Sequence, residues 1–520
     1  MTRALEDRLG ALSAASAGKF LHGGLRGIEK ESLRVTADGY IAATAHPPGL
    51  GSALEHRFIT TDYSEALLEF VTPPVTAAWE AIQFLCDIHQ FVFEQIGDEL
   101  LWAMSMPCMI RSESDVPLAR YGTSNVGTMK TVYRRGLGYR YGRNMQAISG
   151  IHLNYSLPEA FWPVYQDSVR RSADSSGFRS SAYLGLVRNV RRLDWLLLYL
   201  FGASPAVCRT FLAGVETDLD SLDNGTLYGR YATSLRMSEI GYQNSNQAAL
   251  HVSANSLDEY IRDLQHAVRT PNPEYARIGV EVDGVYRQLN ANYLQIENEY
   301  YSTVRPKRVA RSGERPSEAL RRGGVEYVEL RALDISPFDP VGINRTQVNF
   351  LEAFLVYCLL KDSPPIDAGE QRDNRHNQAA AARHGREPGL ALHRDGAPCS
   401  LRDWGLDVCR EMQMVAELLE GDGGNVYAKA IAAQIEALED PGRTPSAQVI
   451  DELESSGRSV FEFAMDLSRN CAAYFRAMPA DMNTHYEILS DESRESLRRQ
   501  ARIEADDDIG FEEYLQNYFS

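Results

Sequence analysis

The sequence predicts an α+β protein, built on an antiparallel sheet with helices packed outside it. In five separate segments polar residues recur at every second position, which is the period of a β-strand. In two others, 77–98 and 345–361, apolar residues recur at the spacing of an amphipathic helix. Several half-polar strands covered by helices favour an α+β fold on an antiparallel sheet. The predicted strands are 27–35, 65–72, 148–157, 294–301 and 325–335.

The chain of 520 residues is long enough for a large core, and its 44% hydrophobic and 24% charged residues are typical of a globular protein. We predict a core over 1–345 that carries the functional site. A mostly helical part over 346–520 then packs on that core within the same overall domain. In this second part, the composition of 363–398 predicts a surface excursion or a loosely packed segment, and 402–480 reads as helical. The charged stretch from Asp491 onward predicts a solvated helix.

Charge and cysteine content exclude several classes of protein. A net charge of −18 argues against a nucleic acid or an anionic membrane as partner, since both need a broad basic field. The seven scattered cysteines include no CxxC pair, so neither a zinc site nor a disulfide framework is evident. The N-terminal residues lack the apolar run of a signal peptide, and the most apolar run, 195–208, is too short to span a membrane. We therefore expect a protein of the reducing cytoplasm.

Acidic residues gather on one face of the predicted sheet. Residues two apart in a strand share a face at about 6.5–7 Å, so Glu29 and Glu31 point the same way. His152 with Asn154, and Glu329 with Arg331, form similar pairs, and the alternation in 294–301 predicts a further group. The further group consists of Gln295, Glu297, Glu299 and Tyr301.

A polar face is normal for a half-solvated sheet, but here carboxylates outnumber cations. Such crowding is unfavourable unless a cation sits among them, and hard oxygen ligands without cysteine suit magnesium. Magnesium held there would bridge ATP to a reacting carboxylate.

A basic segment, 305–311, follows directly after the predicted strand 294–301. Alone it reads as a solvated loop, but its place at one end of the acidic face would let arginine bind phosphate oxygens in two-pronged fashion. The sequence contains no GxxxxGK[ST] phosphate loop, no strand–GxGxxG–helix unit, no GxSxG elbow and no HExxH helix. If ATP binds, it binds by another route.

Many long motifs resemble those of the bacterial class of glutamate–cysteine ligases. They occur in family order over about residues 20–345, and past residue 360 the resemblance thins to fragments such as GREPGL. The matching stretches are GIEKESLRV, HRFITTDYSEALLEFVTP, MPC, YGTSNVG, YRRGLGYRYG, MQAISGIHLNYSLP, LFGASPAVC, YATSLRMSEIGY, LQIENEYY, RPKR and GGVEYVELRALDISPFDP.

The resemblance implies a glutamine-synthetase-like fold, in which the antiparallel sheet forms an open funnel with surrounding helices. It also implies the reaction: ATP phosphorylates the γ-carboxylate of glutamate, and the cysteine amine attacks the acyl phosphate. The implied cofactor is magnesium, as two or three ions with manganese able to substitute. The implied partners are glutamate, cysteine and ATP, with feedback by glutathione and a monomeric state.

The resemblance also assigns site residues, motif by motif. The implied metal ligands are Glu29, Glu31, Asp62, Glu69, His152 and Glu329. The implied cysteine pocket is Tyr133, Leu137, Gln146, Arg236, Tyr242 and Tyr301. The implied ATP contacts are Arg305, Lys307, Arg308 and Arg331, with Arg331 and Glu329 as the catalytic pair. Magnesium rarely chooses imidazole, so the role of His152 depends mostly on the resemblance.

Three hypotheses remain open from the sequence. The first is a glutamate–cysteine ligase. The second is a ligase of the same mechanism with another amine acceptor, because pocket details and not the fold select the amine. The third is a catalytically silent binding or regulatory protein, which the retained carboxylates disfavour.

Overall fold

The structure is a computed structural model that describes residues 3–14, 18–169, 175–241, 250–311, 313–420 and 424–520. It confirms the α+β class: an antiparallel sheet is covered by helices. The strands are β1 (Leu25–Val35), β2 (Ile59–Thr61), β3 (Leu67–Val71), β4 (Leu100–Leu101), β5 (Ile151–Ser156), β6 (Ala206–Cys208), β7 (Asp220–Ser221), β8 (Thr226–Tyr228), β9 (Glu281–Val282), β10 (Val285–Tyr286), β11 (Val304–Lys307), β12 (Tyr327–Leu333), β13 (Ala391–Arg394) and β14 (Ala397–Ser400).

The helices lie outside this sheet or extend the chain beyond it. They span Arg3–Ala14, Gly18–Leu21, Ala78–Gln95, Asn125–Tyr141, Phe161–Ser168, Ser175–Phe201, Leu257–Arg269, Pro273–Ile278, Pro316–Gly323, Arg345–Leu360, Ala368–His384, Leu401–Leu419, Val426–Glu439, Pro445–Ser456, Val460–Ala477, Tyr486–Asp506 and Phe511–Phe519.

The main sheet has the strand order β11-β12-β5-β1-β3-β2, and β4 pairs with the end of β1. Every pairing is antiparallel, and four of the five predicted strands are confirmed as β1, β3, β5 and β12. The register places Glu29 opposite His152, and Glu31 opposite Glu69. Residues distant in sequence therefore meet on one face of the sheet, because side chains directly opposite one another lie about 5 Å apart.

The apolar face of the sheet packs on three helices. Ile28, Phe70 and Leu330 are fully buried, and the helices Ala78–Gln95 and Ser175–Phe201 contact the sheet. The helix Arg345–Leu360 packs between these helices and is buried on all sides from Val348 onward. A helix that is apolar all round belongs inside a large core, and this one lies there.

Beyond residue 360 the helices pack against this core. Leu401–Leu419 and Val426–Glu439 contact the buried helix Arg345–Leu360, and Val460–Ala477 contacts both β4 and the helix Ala78–Gln95. The predicted division into 1–345 and 346–520 stays a prediction. No helix in the described parts of the chain is both long enough and apolar enough to cross a membrane.

The predicted strand over 294–301 is wrong. The segment instead contains a short 3₁₀ turn, Glu297–Glu299, and its acidic side chains are used structurally. Glu297 accepts hydrogen bonds from the backbone N–H and the hydroxyl of Ser317 at 2.7 and 2.5 Å. Glu299 pairs with Arg140 at 2.9 Å. The predicted common face of these carboxylates with the sheet is therefore also wrong.

Three other expectations need correction. The segment 305–311 is not wholly a loop, because it begins within edge strand β11. The predicted surface excursion 363–398 contains the helix Ala368–His384 and the hairpin β13–β14. Cys108 and Cys208, 100 residues apart, form a disulfide with a Cα–Cα distance of 5.3 Å, which the scattered cysteines did not predict.

Candidate active site

Three of the predicted ligands meet where β5 lies between β1 and β12. Glu29, His152 and Glu329 each offer a ligand atom, and these atoms all lie within 4.8 Å of one another. His152 Nδ1 lies 3.1 Å from Glu29 Oε2 and 3.7 Å from Glu329 Oε1. Asn154 Nδ2 donates to Glu29 Oε1 at 2.7 Å, so both oxygens of Glu29 are held from the neighbouring strand.

Glu31, Asp62 and Glu69 form a second group beside the first. Burial and then the Asp62 carboxylate raise the pKa of Glu31 to about 8. Burial, and then the carboxylates of Glu29, Asp62 and Glu31, raise the pKa of Glu69 well above its usual value. The Gly150 N–H donates to Glu31 Oε2 at 2.6 Å, which fixes that carboxylate against the start of β5. These carboxylates therefore repel one another across a buried space.

Such an arrangement fits a divalent cation. Like charges crowded in a buried site are costly unless a cation compensates them, and oxygen donors with one imidazole and no thiolate suit magnesium or manganese. In the described part of the chain, Asn154 Oδ1 is a buried acceptor without a hydrogen-bond partner next to Glu29. An ordered water on a metal ion is the kind of donor that such an atom accepts from.

Cations border this carboxylate face on the side of β11 and β12. Arg331 donates to Glu329 Oε1 at 2.9 Å, and Lys307 Nζ lies 3.3 Å from Glu329 Oε2. Burial alone would raise the pKa of Glu329, but Lys307, then Arg331 and His152, hold it well below its usual value. Lys307 and Arg331 are partly exposed, at 28% and 21% of their side chains, so both can reach a ligand on this face of the sheet.

The other two predicted ATP contacts are engaged elsewhere. Arg305 is buried and donates to the carbonyl oxygens of Asn298, at 3.0 Å, and of Tyr300. Arg308 donates to the carbonyl oxygens at the end of the helix Pro316–Gly323, with Gly324 at 2.6 Å. Both guanidinium groups join segments of backbone, which does not favour direct phosphate contact.

The predicted acceptor pocket has a buried arginine. Arg236 lies against Gly150 and donates to the Arg331 carbonyl at 3.2 Å, and the Tyr301 hydroxyl contacts Met237 Sδ at 3.1 Å. Burial raises the pKa of Tyr301 to about 12, so this hydroxyl remains a hydrogen-bond donor.

The remaining pocket residues lie on two neighbouring elements. Tyr133 and Leu137 stand one turn apart on the helix Asn125–Tyr141, and both are partly buried. Gln146 lies in the 3₁₀ turn Asn144–Ala147 that leads into Gly150 and β5. Tyr242 lies outside the described residues.

Sequence reasoning missed several groups that hold the site. Asn154 was placed on the polar face without a role, although the alternation of HLNY carries it there. Arg134 donates to the Asp62 carbonyl and lies partly buried near the acidic groups. Asp334, which lies 3.6 Å from Arg236, was within the predicted strand 325–335 but was given no role, and in the structure it follows the end of β12.

Comparison with known proteins gives a consistent result. The sequence model of the family described as glutamate–cysteine ligase matches residues 9–381. A protein named glutamate–cysteine ligase from Alcanivorax borkumensis is 50% identical over 99% of both chains. One with the same name from Pseudomonas putida is 49% identical over 95% of this chain and 94% of its own.

Solved structures agree with the sequence relatives. A crystal structure of glutamate–cysteine ligase from Francisella tularensis in complex with AMP has a TM-score of 0.89. It shares 37% identity, and the match covers 96% of this chain and 97% of that one. A bifunctional glutathione synthetase from Pasteurella multocida has a TM-score of 0.73 at 25% identity, over 90% of this chain and 55% of its own. The chain belongs to the glutamate–cysteine ligase family.

Proposed function

We propose that this protein is an ATP-dependent ligase that joins the γ-carboxyl of glutamate to the amine of cysteine, the first step of glutathione synthesis. ATP transfers its γ-phosphoryl group to the glutamate γ-carboxylate, and the cysteine amine then displaces phosphate from the acyl phosphate. The products are γ-glutamylcysteine, ADP and phosphate. The observation that carries the proposal is the family match over residues 9–381, which contains the whole carboxylate face.

We propose that the carboxylate face holds two or three magnesium ions, with manganese able to substitute. Glu29, His152 and Glu329 would hold one ion, and Glu31, Asp62 and Glu69 would share the rest. Bound there, magnesium would neutralise charge on the ATP phosphates and on the glutamate carboxylate. The pairing of Glu31 with Glu69 across two strands supports this assignment, because the rigid sheet fixes the ligand positions.

The cations at the edge of the face have a different task. Arg331 and Lys307 would bind the transferred phosphoryl group, since both contact Glu329 and are partly exposed. Phosphoryl transfer needs mainly positioning and charge neutralisation, so no side chain has to form a covalent bond. Because Arg305 and Arg308 hold backbone carbonyls, their contribution to ATP binding is indirect.

We propose that the acceptor pocket contains Arg236 as the clamp for the α-carboxylate. Tyr133, Leu137, Gln146, Tyr242 and Tyr301 would surround the small thiol side chain. Aromatic and apolar surface suits a thiol, which is weakly polar. Feedback by glutathione, a monomeric state and a cytoplasmic location belong to the same proposal.

The test is ADP and phosphate release with glutamate, ATP, magnesium and a panel of amino acids as acceptors. We expect release that depends on glutamate and is fastest with cysteine. We expect 2-aminobutyrate to be a usable substitute, serine a poorer one and bulky amino acids to fail, because an apolar pocket separates near-isosteres by only about 1–3 kcal/mol. Faster release with another amine would favour a different ligase, and no release with any acceptor would favour a silent binding protein.

A further inference from the structure

Asp334 is a fully buried carboxylate that joins three segments of the chain beside the proposed acceptor pocket. It follows β12, and its Oδ2 accepts from the Ala203 N–H at 2.9 Å and from the Ser204 hydroxyl at 2.6 Å. Its Oδ1 accepts from the Ser234 hydroxyl at 2.9 Å and lies 3.6 Å from Arg236 Nη1. Three neutral donors therefore surround this carboxylate in addition to one guanidinium.

The guanidinium of Arg236 is held on its other sides as well. Its Nη2 donates to the Arg331 carbonyl at 3.2 Å, and its Nη1 donates to Met237 Sδ at 3.2 Å. It also packs so closely on Gly150 that a Cβ there would lie 2.0 Å from Nη2. Asp334 and Gly150 thus limit the position of this guanidinium from two directions.

We propose that Asp334 is a positioning residue for acceptor specificity, which holds the Arg236 guanidinium where it meets the α-carboxylate of the acceptor. This inference rests on the proposed function, in which Arg236 binds that carboxylate. The neutral donors keep Asp334 in place independently of Arg236, so it can act as a fixed anchor. A guanidinium carries five N–H donors in a rigid fork, and its orientation decides whether it grips a carboxylate in two-pronged fashion.

Electrostatics and positioning predict opposite results when Asp334 becomes asparagine. A negative charge next to Arg236 repels an incoming carboxylate, so its removal alone would tighten acceptor binding. An asparagine, however, offers one acceptor oxygen and one NH₂ group. With the oxygen kept toward the Ala203 N–H and the Ser204 hydroxyl, the NH₂ takes the place of Oδ1. The Ser234 hydroxyl can accept from this NH₂, but the Arg236 guanidinium cannot, so the guanidinium is displaced. We expect positioning to dominate.

The experiment compares cysteine with cysteamine, which lacks the α-carboxylate, as acceptors for the full-length enzyme. For each variant, kcat/KM is measured with both acceptors, together with KM for glutamate and ATP. We expect Asp334→Asn to reduce the preference for cysteine by about tenfold or more, the size of a lost charge-assisted hydrogen bond. KM for glutamate and ATP should stay within about threefold. Arg236→Ala should abolish the same preference.

Glu352→Gln is the matched control, because Glu352 is an equally buried carboxylate that pairs with Arg26 and accepts from Tyr155 and Tyr427 away from the pocket. It should lower thermal stability without changing the preference. Where Asp334→Asn does not fold, Ser234→Ala, which removes a single donor, should shift the preference in the same direction by a smaller factor.

Three results overturn the inference. If Arg236→Ala abolishes the preference while Asp334→Asn leaves or increases it, Asp334 does not position Arg236, and the acceptor pocket stands. If a well-folded Arg236→Ala keeps the preference, the pocket assignment itself fails, and the role of Asp334 fails with it. If Glu352→Gln lowers the preference for cysteine over cysteamine as strongly as Asp334→Asn does, the loss of preference comes from general destabilisation and not from the position of Arg236.

Discussion

Replacement of Gly150 by alanine tests the acceptor pocket by sterics alone, without removing a charge. Gly150 directly precedes β5, and a Cβ on it would lie 2.0 Å from Arg236 Nη2 and 2.4 Å from Arg236 Cζ. Real Cβ atoms essentially never come within 3.0 Å of a neighbour, so the guanidinium must retreat by about 1 Å. Arg236 is only 2% exposed and is held by Asp334, so it cannot simply swing into solvent.

A displacement of this size predicts a large and selective kinetic loss. Misplacement by about 1 Å costs on the order of a hundredfold in rate, or about 3 kcal/mol in the barrier. We expect Gly150→Ala to lower kcat/KM for cysteine by about that factor. The Gly150 N–H that donates to Glu31 remains in alanine, so the magnesium dependence should change little. The assay is steady-state ADP release with cysteine, glutamate, ATP and magnesium varied in turn.

The control is Gly49→Ala, where the new Cβ would lie 1.9 Å from Gln95 Oε1, the tip of a flexible side chain outside the proposed site. This variant should keep its activity and lose at most a little thermal stability. The reasoning is refuted if Gly150→Ala has the same melting temperature as the unsubstituted protein and keeps its kcat/KM for cysteine within about threefold of the native value. Arg236 would then not contact the acceptor.

Three further predictions concern the metal, the intermediate and the nucleotide. Chelation of magnesium should abolish ADP formation, and Glu69→Ala or Glu329→Ala should lower turnover by orders of magnitude with the fold retained; near-normal turnover in both variants would contradict the metal site. A sulfoximine analogue of glutamate should inhibit slowly and tightly only when ATP is present, because it mimics the transition state once phosphorylated; inhibition independent of ATP would contradict the acyl phosphate. Lys307→Met should raise KM for ATP, whereas Arg305→Met should lower the free energy of unfolding, measured by urea titration, by about 1–3 kcal/mol, because it leaves buried carbonyls unpaired. The reverse pattern would mean that Arg305 binds the nucleotide and that Lys307 supports the fold.

The strands that carry the carboxylate face were predictable because their signal is local. In β5 each polar residue alternates with an apolar one, and in β1 the two glutamates stand two residues apart, so both strands place these side chains on one face of the sheet. The register that pairs Glu31 with Glu69 could not be predicted, since it depends on which strands are neighbours.

The prediction of a strand over 294–301 was wrong for a physical reason. Its alternation of glutamates is the same as that of a half-exposed strand, but carboxylates are also good acceptors for backbone N–H groups. Glu297 caps the start of the helix Pro316–Gly323, and Glu299 accepts from the Gln295 N–H at 2.6 Å. The distant partners, Ser317 and Arg140, decide between these two uses, and the sequence pattern does not show where they lie.

The segment 363–398 could have been predicted better from turn chemistry. Asp367 accepts from the Glu370 N–H at 2.9 Å, as an N-cap residue does, and Asp395 with Gly396 forms the tight turn of the β13–β14 hairpin. Both turn residues have positive φ, at 52° and 76°, which Asp-Gly adopts readily. The polar composition of 363–398 therefore led to the wrong prediction, although the capping and turn residues in the sequence indicated a helix and a hairpin.

The strand order of the main sheet also bears on how the protein is made. β1 is an early strand but lies in the middle of the sheet, and its neighbours come from residues 67–71 and 151–156. The strand beside β5, β12, carries Glu329, which is synthesised 300 residues after Glu29, the residue that it meets in the folded site. At about 5–20 residues per second of synthesis, this interval lasts on the order of 15–60 s. β5 is complete at Ser156 and stays an open edge until β12 begins at Tyr327, roughly 9–34 s later at the same rate, so the nascent chain, more than the finished protein, needs protection from aggregation.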